Sequence, residues 1–263
     1  MMFDRLASDG CLVFDTLFDP ALIKRAHDEY ERQYGTFDVD ELPLHMNVGD
    51  RRLHLPIALT GALLDPLLYA NPLLMMALGT VFGEPYLIDN ATVVTALPGA
   101  QPQRFHRDHP ALFAEQAGLA VTLPPYAITV AIPLIDLDPA IGTTELYPGS
   151  MALRLDDAGG FPEFGNATLP YVKRGGCFLM DYRLWHRGLA NMSDRPRPIL
   201  YLIYTREWFT DVRNFKKHAR LLVSREDAEA IPVEHRPLFR RLAGKGLLDV
   251  TIKELKAEPP KRG

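Results

Sequence analysis

Tyr126-Ala127-Ile128-Thr129-Val130-Ala131-Ile132-Pro133-Leu134-Ile135-Asp136-Leu137 is the stretch whose reading decides the fold. Ile128, Val130, Ile132 and Leu134 recur at every second position among apolar neighbours, which is strand periodicity rather than helix periodicity. Residues 86–97, 176–180 and 199–205 share its β-branched and aromatic texture. Turn signals such as Pro98-Gly99 and Pro148-Gly149-Ser150 separate these runs, with little helical pattern between them. Short strands punctuated in this way predict a mainly β fold, a double-stranded β-helix of the jelly-roll or cupin-like kind, with flanking helices.

Outward from that core, residues 10–14 read as one more buried strand. A helix follows, with Asp19 as N-cap, Pro20 in the first helical position, a stripe of Leu22, Ile23, Ala26 and Tyr30, and a stop at Gly35. Residues 36–60 look irregular. Residues 61–82, rich in Leu, Met and Ala, predict one or two helices broken near Asn71-Pro72, and further helix is expected from about 224 to 256. The chain is therefore expected to form a single domain over 1–263. Its helical N-terminal part covers about 15–82, its β core about 86–206, and its C-terminal extension about 207–263.

Composition narrows the function. Apolar residues make up 47% and charged residues 24% of the chain, ordinary values for a globular protein. A net charge of -4 leaves no basic footprint for nucleic acid. The two cysteines, Cys11 and Cys177, form neither a Cys-x-x-Cys pair nor a disulfide framework, which suits a reducing compartment. Residues 1–10 lack the basic flank and apolar run of a signal peptide. The apolar runs at 66–82 and 118–135 carry prolines and read as buried elements, so no membrane span is expected and the location expected is cytoplasmic.

Chemistry concentrates in Gln103-Arg104-Phe105-His106-Arg107-Asp108-His109. In a strand, residues two apart face the same way, so His106 and Asp108 can reach one metal ion together. His186, in Asp181-Tyr182-Arg183-Leu184-Trp185-His186, is the candidate third ligand. Two histidines and a carboxylate leaving open positions form the facial triad of non-haem Fe(II) sites.

Four blocks of the sequence resemble the phytanoyl-CoA dioxygenase-like Fe(II)/2-oxoglutarate oxygenases. They are residues 10–14 with Asp19-Pro20; Pro98-Gly99 followed by 103–108; Gly142-Thr143-Thr144-Glu145-Leu146-Tyr147-Pro148-Gly149-Ser150; and His186, Gly188, Asn191 and Arg197. Met151 stands where the family often has a histidine. The resemblance implies Fe(II) on His106, Asp108 and His186, with Arg197 holding the distal carboxylate of the cosubstrate 2-oxoglutarate. It also implies consumption of O₂ and oxidation of a C–H bond in a small-molecule substrate, with 2-oxoglutarate leaving as succinate and CO₂. Hydroxylation is the default outcome; halogenation is disfavoured, because Asp108 fills the position a halide needs. Thr144 and Gln103 are further cosubstrate candidates, although strict alternation puts Arg104 rather than Gln103 on the metal face. Arg195 competes with Arg197 if the register slips by two. His109 and Arg104 are candidates for substrate contact, and residues 36–60 and 107–125 are expected to shape the pocket. Two other classes compete, a non-catalytic barrel binding a small acid or metal and a Zn²⁺ hydrolase on the same ligands.

Overall fold

The computed structural model describes residues 3–35, 47–83, 85–113, 116, 119, 122–154, 160–214 and 221–242. Among the described residues nine strands carry the architecture: β1 (Cys11–Phe14), β2 (Asn47–Gly49), β3 (Arg52–Pro56), β4 (Tyr86–Ala96), β5 (Ala127–Pro133), β6 (Thr144–Leu146), β7 (Cys177–Asp181), β8 (His186–Gly188) and β9 (Arg197–Arg206). Seven of them form one antiparallel sheet in the order β1-β7-β5-β9-β4-β3-β2, and β6 pairs with β8 in a second, smaller sheet. This is the jelly-roll arrangement expected from the sequence.

The two faces of the large sheet have different tasks, and strand alternation assigns them. Leu53, Leu55, Val93, Ile128, Val130, Leu179, Leu200 and Leu202 turn to one side and join a buried apolar cluster. Each such fully buried side chain contributes about 1.5–3 kcal/mol over an exposed one. Helices cover this side. The helix α2 (Pro20–Tyr34) follows α1 (Asp4–Asp9) and is capped by Asp19, whose carboxylate accepts from the Ala21 amide at 2.8 Å. It buries Leu22, Ile23, Ala26 and Tyr30 against the sheet. The break near Asn71 is also present: α3 (Pro66–Tyr69) ends before it, and α4 (Pro72–Phe82) starts with Asn71 accepting from the Leu73 amide at 3.0 Å. The alternate residues, Arg52, His54, Thr92, Val94, Thr129, Met180, Ile199, Tyr201 and Ile203, face the other way and line a cavity.

Three local expectations need correction. Residues 36–60 are not irregular throughout, since β2 and β3 lie within them. β3 is a short run ending in Pro56, and it is held chiefly by its five-residue register with β4, a non-local pairing that local pattern does not reveal. Residues 103–109 are not a regular strand. Pro102 and Pro110 flank them, and proline donates no ladder hydrogen bond. Only His106 bridges antiparallel to His186. After Ser224 the described chain holds only α5 (Arg225–Ala230) and a 3-10 stretch at Val233–Leu242, where Pro237 prevents a regular α-helix. The remainder of that predicted helix lies outside the described residues, as do His45 and His218. Among the described residues no helix is long and apolar enough to cross a membrane.

Candidate metal centre

The backbone bridge between His106 and His186 builds the site. The His106 amide donates to the His186 carbonyl at 2.9 Å, and the His186 amide returns the bond at 3.0 Å. The two imidazoles consequently stand 4.4 Å apart, centroid to centroid. Asp108 completes the group: one donor atom from each of the three residues lies within 4.8 Å of the others. Two histidines and a carboxylate at that spacing suit a hard or borderline divalent cation such as Fe(II), and no thiolate is part of the cluster.

Each donor is held by a neighbour. His106 Nδ1 bonds to the Arg104 carbonyl and His186 Nδ1 to the Leu184 carbonyl, both at 2.9 Å. A carbonyl only accepts, so both Nδ1 atoms carry the proton and both Nε2 lone pairs are left for a metal. Burial pushes the His106 pKa down to about 4, which keeps this ring neutral as ligation requires. Burial opposes charge on His186 too, but the Asp108 carboxylate, 3.4 Å from its Nε2, outweighs that and raises it. Burial would raise Asp108, yet His186 and the Thr129 hydroxyl hold it below the usual carboxylate range. Thr129 Oγ1 donates to Asp108 Oδ2 at 3.0 Å. The side-chain amide of Asn214 donates to the Asp108 carbonyl at 2.6 Å and is itself bound to Asp211 at 2.7 Å. Thr129→Val keeps the shape and removes one hydrogen bond to the carboxylate. It is expected to weaken Co(II) binding about 10- to 100-fold, measured by equilibrium dialysis, with little change in melting temperature.

The triad opens into a cavity of about 700 Å³ lined by the sheet face described above. Arg197, at the start of β9 and 2% exposed, is part of its wall. Its guanidinium donates to the carbonyls of Ile141 and Leu189 at 2.8 and 3.0 Å, and among the described residues no carboxylate pairs with it. Burial, and then the nearby Arg52, lower its pKa to about 10, so it is still charged at neutral pH. Arg195, the alternative arginine, is exposed and does not line the cavity. Thr144 is buried on the cavity wall and its hydroxyl bonds with Tyr201. Gln103 also lines the cavity, but its Oε1 accepts from the Gly188 amide at 2.9 Å. Arg104 lines the cavity and is exposed. His109 is placed elsewhere: its ring packs edge-on against Phe209 at 5.4 Å and Tyr126 at 6.3 Å, and it is not part of the cavity wall.

Arg52 is the residue that sequence reading missed. It is 2% exposed, its Nη2 reaches the Gln101 and Leu189 carbonyls at 3.0 and 2.6 Å, and its Nε has no partner. A buried, unsatisfied guanidinium nitrogen at a cavity wall marks a place for an anion. The available signal was an arginine among apolar residues in Arg52-Leu53-His54-Leu55, which only the pairing with β4 makes legible.

Two glycines of the motif blocks are explained by close approach. A Cβ at Gly188 would stand 2.6 Å from Arg52 Nη1 and 2.7 Å from Gln103 Oε1. At Gly142, with φ +76°, it would fall on the Ala190 carbonyl oxygen and on Nη1 of Arg197. Gly142→Ala is expected to cost roughly 3 kcal/mol in a denaturant melt and to displace the arginine. Asn191 serves the same region, its amide tying the Ala96 and Arg195 carbonyls at 3.0 and 2.7 Å and so shaping the turn that delivers Arg197.

Comparison with known proteins gives a family match and a set of similar folds. The model for the phytanoyl-CoA dioxygenase family matches residues 6–199. Among solved structures, the epimerase SnoN from nogalamycin biosynthesis, in complex with Fe3+, alpha ketoglutarate and nogalamycin RO, is 19% identical with a TM-score of 0.59, the alignment covering 78% of this chain and 82% of that one. HygX from Streptomyces hygroscopicus, with nickel and 2-oxoglutarate bound, is 16% identical with a TM-score of 0.59 over 80% of this chain and 88% of its own. EctD from S. alaskensis, with 2-oxoglutarate and 5-hydroxyectoine, is 18% identical with a TM-score of 0.55 over 77% and 74%.

Proposed function

Because the chain belongs to the phytanoyl-CoA dioxygenase family of Fe(II)- and 2-oxoglutarate-dependent oxygenases, we propose that His106, Asp108 and His186 hold its iron and that Arg197, helped by Arg52, holds the cosubstrate. The observation that carries this reading is the convergence on one cavity of a His/Asp/His donor cluster and two buried guanidiniums, Arg52 and Arg197, neither of which forms an ion pair with a carboxylate among the described residues. Held there, Fe(II) and 2-oxoglutarate would allow O₂ to oxidise a C–H bond, with 2-oxoglutarate leaving as succinate and CO₂.

The protein's own part is orientation and exclusion of water. The carbonyls of Arg104 and Leu184 keep both imidazoles in the tautomer that offers Nε2. Thr129 and Asn214 hold Asp108 by side chain and backbone respectively. Arg197 presents a planar fork suited to a carboxylate, and its anchoring to fixed carbonyls means that little freedom is lost when an anion arrives. Arg52 offers its unpartnered Nε beside it. Thr144 and Tyr201 add hydroxyls to the same wall. Val94, Met180, Ile199 and Ile203 add apolar surface to this sheet face, which strengthens the polar contacts made against it.

A cavity of this size suits a small organic molecule beside the cosubstrate. We read the activity as hydroxylation of such a molecule by one oxygenase domain in the cytoplasm, where the unpaired Cys11 and Cys177 would stay reduced. A Zn²⁺ hydrolase on the same ligands would leave Arg52 and Arg197 without a task. The test is anaerobic titration of Fe(II)-loaded protein with 2-oxoglutarate. A metal-to-ligand absorption band that saturates supports the reading; iron-loaded, folded protein with no band overturns it.

A further inference from the structure

The charges lining the cavity are unequal. Arg52, Arg104, Arg107 and Arg197 face it, against the acids Asp50 and Asp108. Asp108 belongs to the metal triad, Asp50 acts on Arg52, and Arg52 and Arg197 are already assigned to the cosubstrate. Arg104 and Arg107 remain. Among the described residues no carboxylate bonds or pairs with either one. Arg104 lines the cavity and is exposed, and its own carbonyl accepts from His106 Nδ1 at 2.9 Å, which sets its backbone beside a proposed metal ligand. Arg107 is half-buried, with its guanidinium 4.8 Å from the centre of the Trp185 ring. A guanidinium laid on an aromatic face is fixed in orientation while its N–H edges stay open to a ligand. A half-buried cation without an acid is costly unless something anionic arrives.

We infer that the substrate carries an anionic oxyacid group, a carboxylate, sulfate or phosphate, and that Arg104 and Arg107 receive it beside the metal. This rests on the oxygenase reading above and narrows its substrate class. The protein as a whole carries a net charge of -4, so attraction of an anion is a local property of this mouth and not of the general surface. An oxyacid can accept two parallel N–H bonds from one guanidinium, whereas an amide or an amine cannot accept that pair. The charged end then fixes which carbon of the substrate lies near the open metal positions.

The test uses three probes of one shape. Naphthalene-2-sulfonate, naphthalene-2-sulfonamide and 2-naphthylmethylammonium are titrated by calorimetry into full-length protein loaded with Ni(II), with and without 2-oxoglutarate. The sulfonate is expected to bind at least tenfold more tightly than the sulfonamide, and the ammonium most weakly. The sulfonate's advantage should shrink when salt is raised from about 50 to about 300 mM. Arg104→Gln and Arg107→Gln together should abolish the advantage, while Arg107→Lys keeps part of it. The 2-oxoglutarate affinity of these variants should match wild type. Equal binding of sulfonate and sulfonamide, no binding of any probe, preference for the ammonium, or an advantage that survives in the double variant would each overturn the proposal. Failure of wild type to bind 2-oxoglutarate would overturn the cofactor assignment instead, and comparing wild type with the double variant without 2-oxoglutarate would still decide whether Arg104 and Arg107 set the charge preference.

Discussion

Arg197→Ala raises the 2-oxoglutarate concentration needed to develop the anaerobic Fe(II) absorption band by about 30-fold or more. That figure follows from truncating one partner of a buried, hydrogen-bonded charge pair, which typically costs 2–5 kcal/mol. Arg197 also anchors the Ile141 and Leu189 carbonyls, so a purely structural loss has to be told apart from loss of recognition. Cosubstrate analogues separate the two. 2-Oxobutyrate keeps the 2-oxo acid end and lacks the distal carboxylate. In wild type its half-saturation concentration should exceed that of 2-oxoglutarate by a similar factor, and in Arg197→Ala the difference should vanish. If the site had merely loosened, both would weaken together and the preference would survive. Arg197→Lys retains a point charge but not the fork, and should fall between. An unchanged preference for 2-oxoglutarate in Arg197→Ala would remove the assignment and turn attention to Arg52, the other buried guanidinium on the wall.

His186→Ala removes metal binding rather than cosubstrate recognition. His186 is 4% exposed, bridges to His106 through the backbone, and supplies one of three donors. A site left with His106 and Asp108 alone should bind Co(II) at least 1,000-fold more weakly by equilibrium dialysis, a loss of about 4 kcal/mol or more. No absorption band with Fe(II) and 2-oxoglutarate should then form at any practical concentration. The backbone bonds between residues 106 and 186 do not depend on the side chain, so the unfolding free energy should fall only by what the small cavity costs, about 1–3 kcal/mol. Metal affinity preserved in a folded His186→Ala protein would show that the ion sits elsewhere.

Much of this molecule could be read from local pattern. The alternation in 126–137 and the β-branched and aromatic texture of 199–205 marked β5 and β9, which lie side by side in the middle of the sheet. Asp19-Pro20 and Asn71-Pro72 marked helix starts because capping and a fixed proline φ are local effects. His106, Asp108, His186 and Arg197 could be proposed from sequence because metal ligation and carboxylate recognition admit few residue types, and because the eleven-residue step from His186 to Arg197 is a property of the sequence itself.

What local pattern could not supply is anything set by partners distant in the chain. The expected strand through 103–109 is an irregular segment between two prolines, and His106 and Asp108 converge with His186 through a single backbone bridge instead of a ladder. Arg52 became a site residue only when β3 paired with β4, turning alternate side chains toward the cavity while Leu53 and Leu55 went to the core. His109, whose amide donates to the Tyr182 carbonyl at 3.4 Å, was carried away from the cavity by an aromatic cluster with Tyr126 and Phe209. The sequence by itself determined the donor types, the strand periods and the caps, since these depend on neighbours a few residues away. Tertiary structure alone decided which face of each strand meets the cavity and which arginines have no carboxylate ion pair among the described residues, because burial and charge pairing are sums over residues that meet only when the sheet closes.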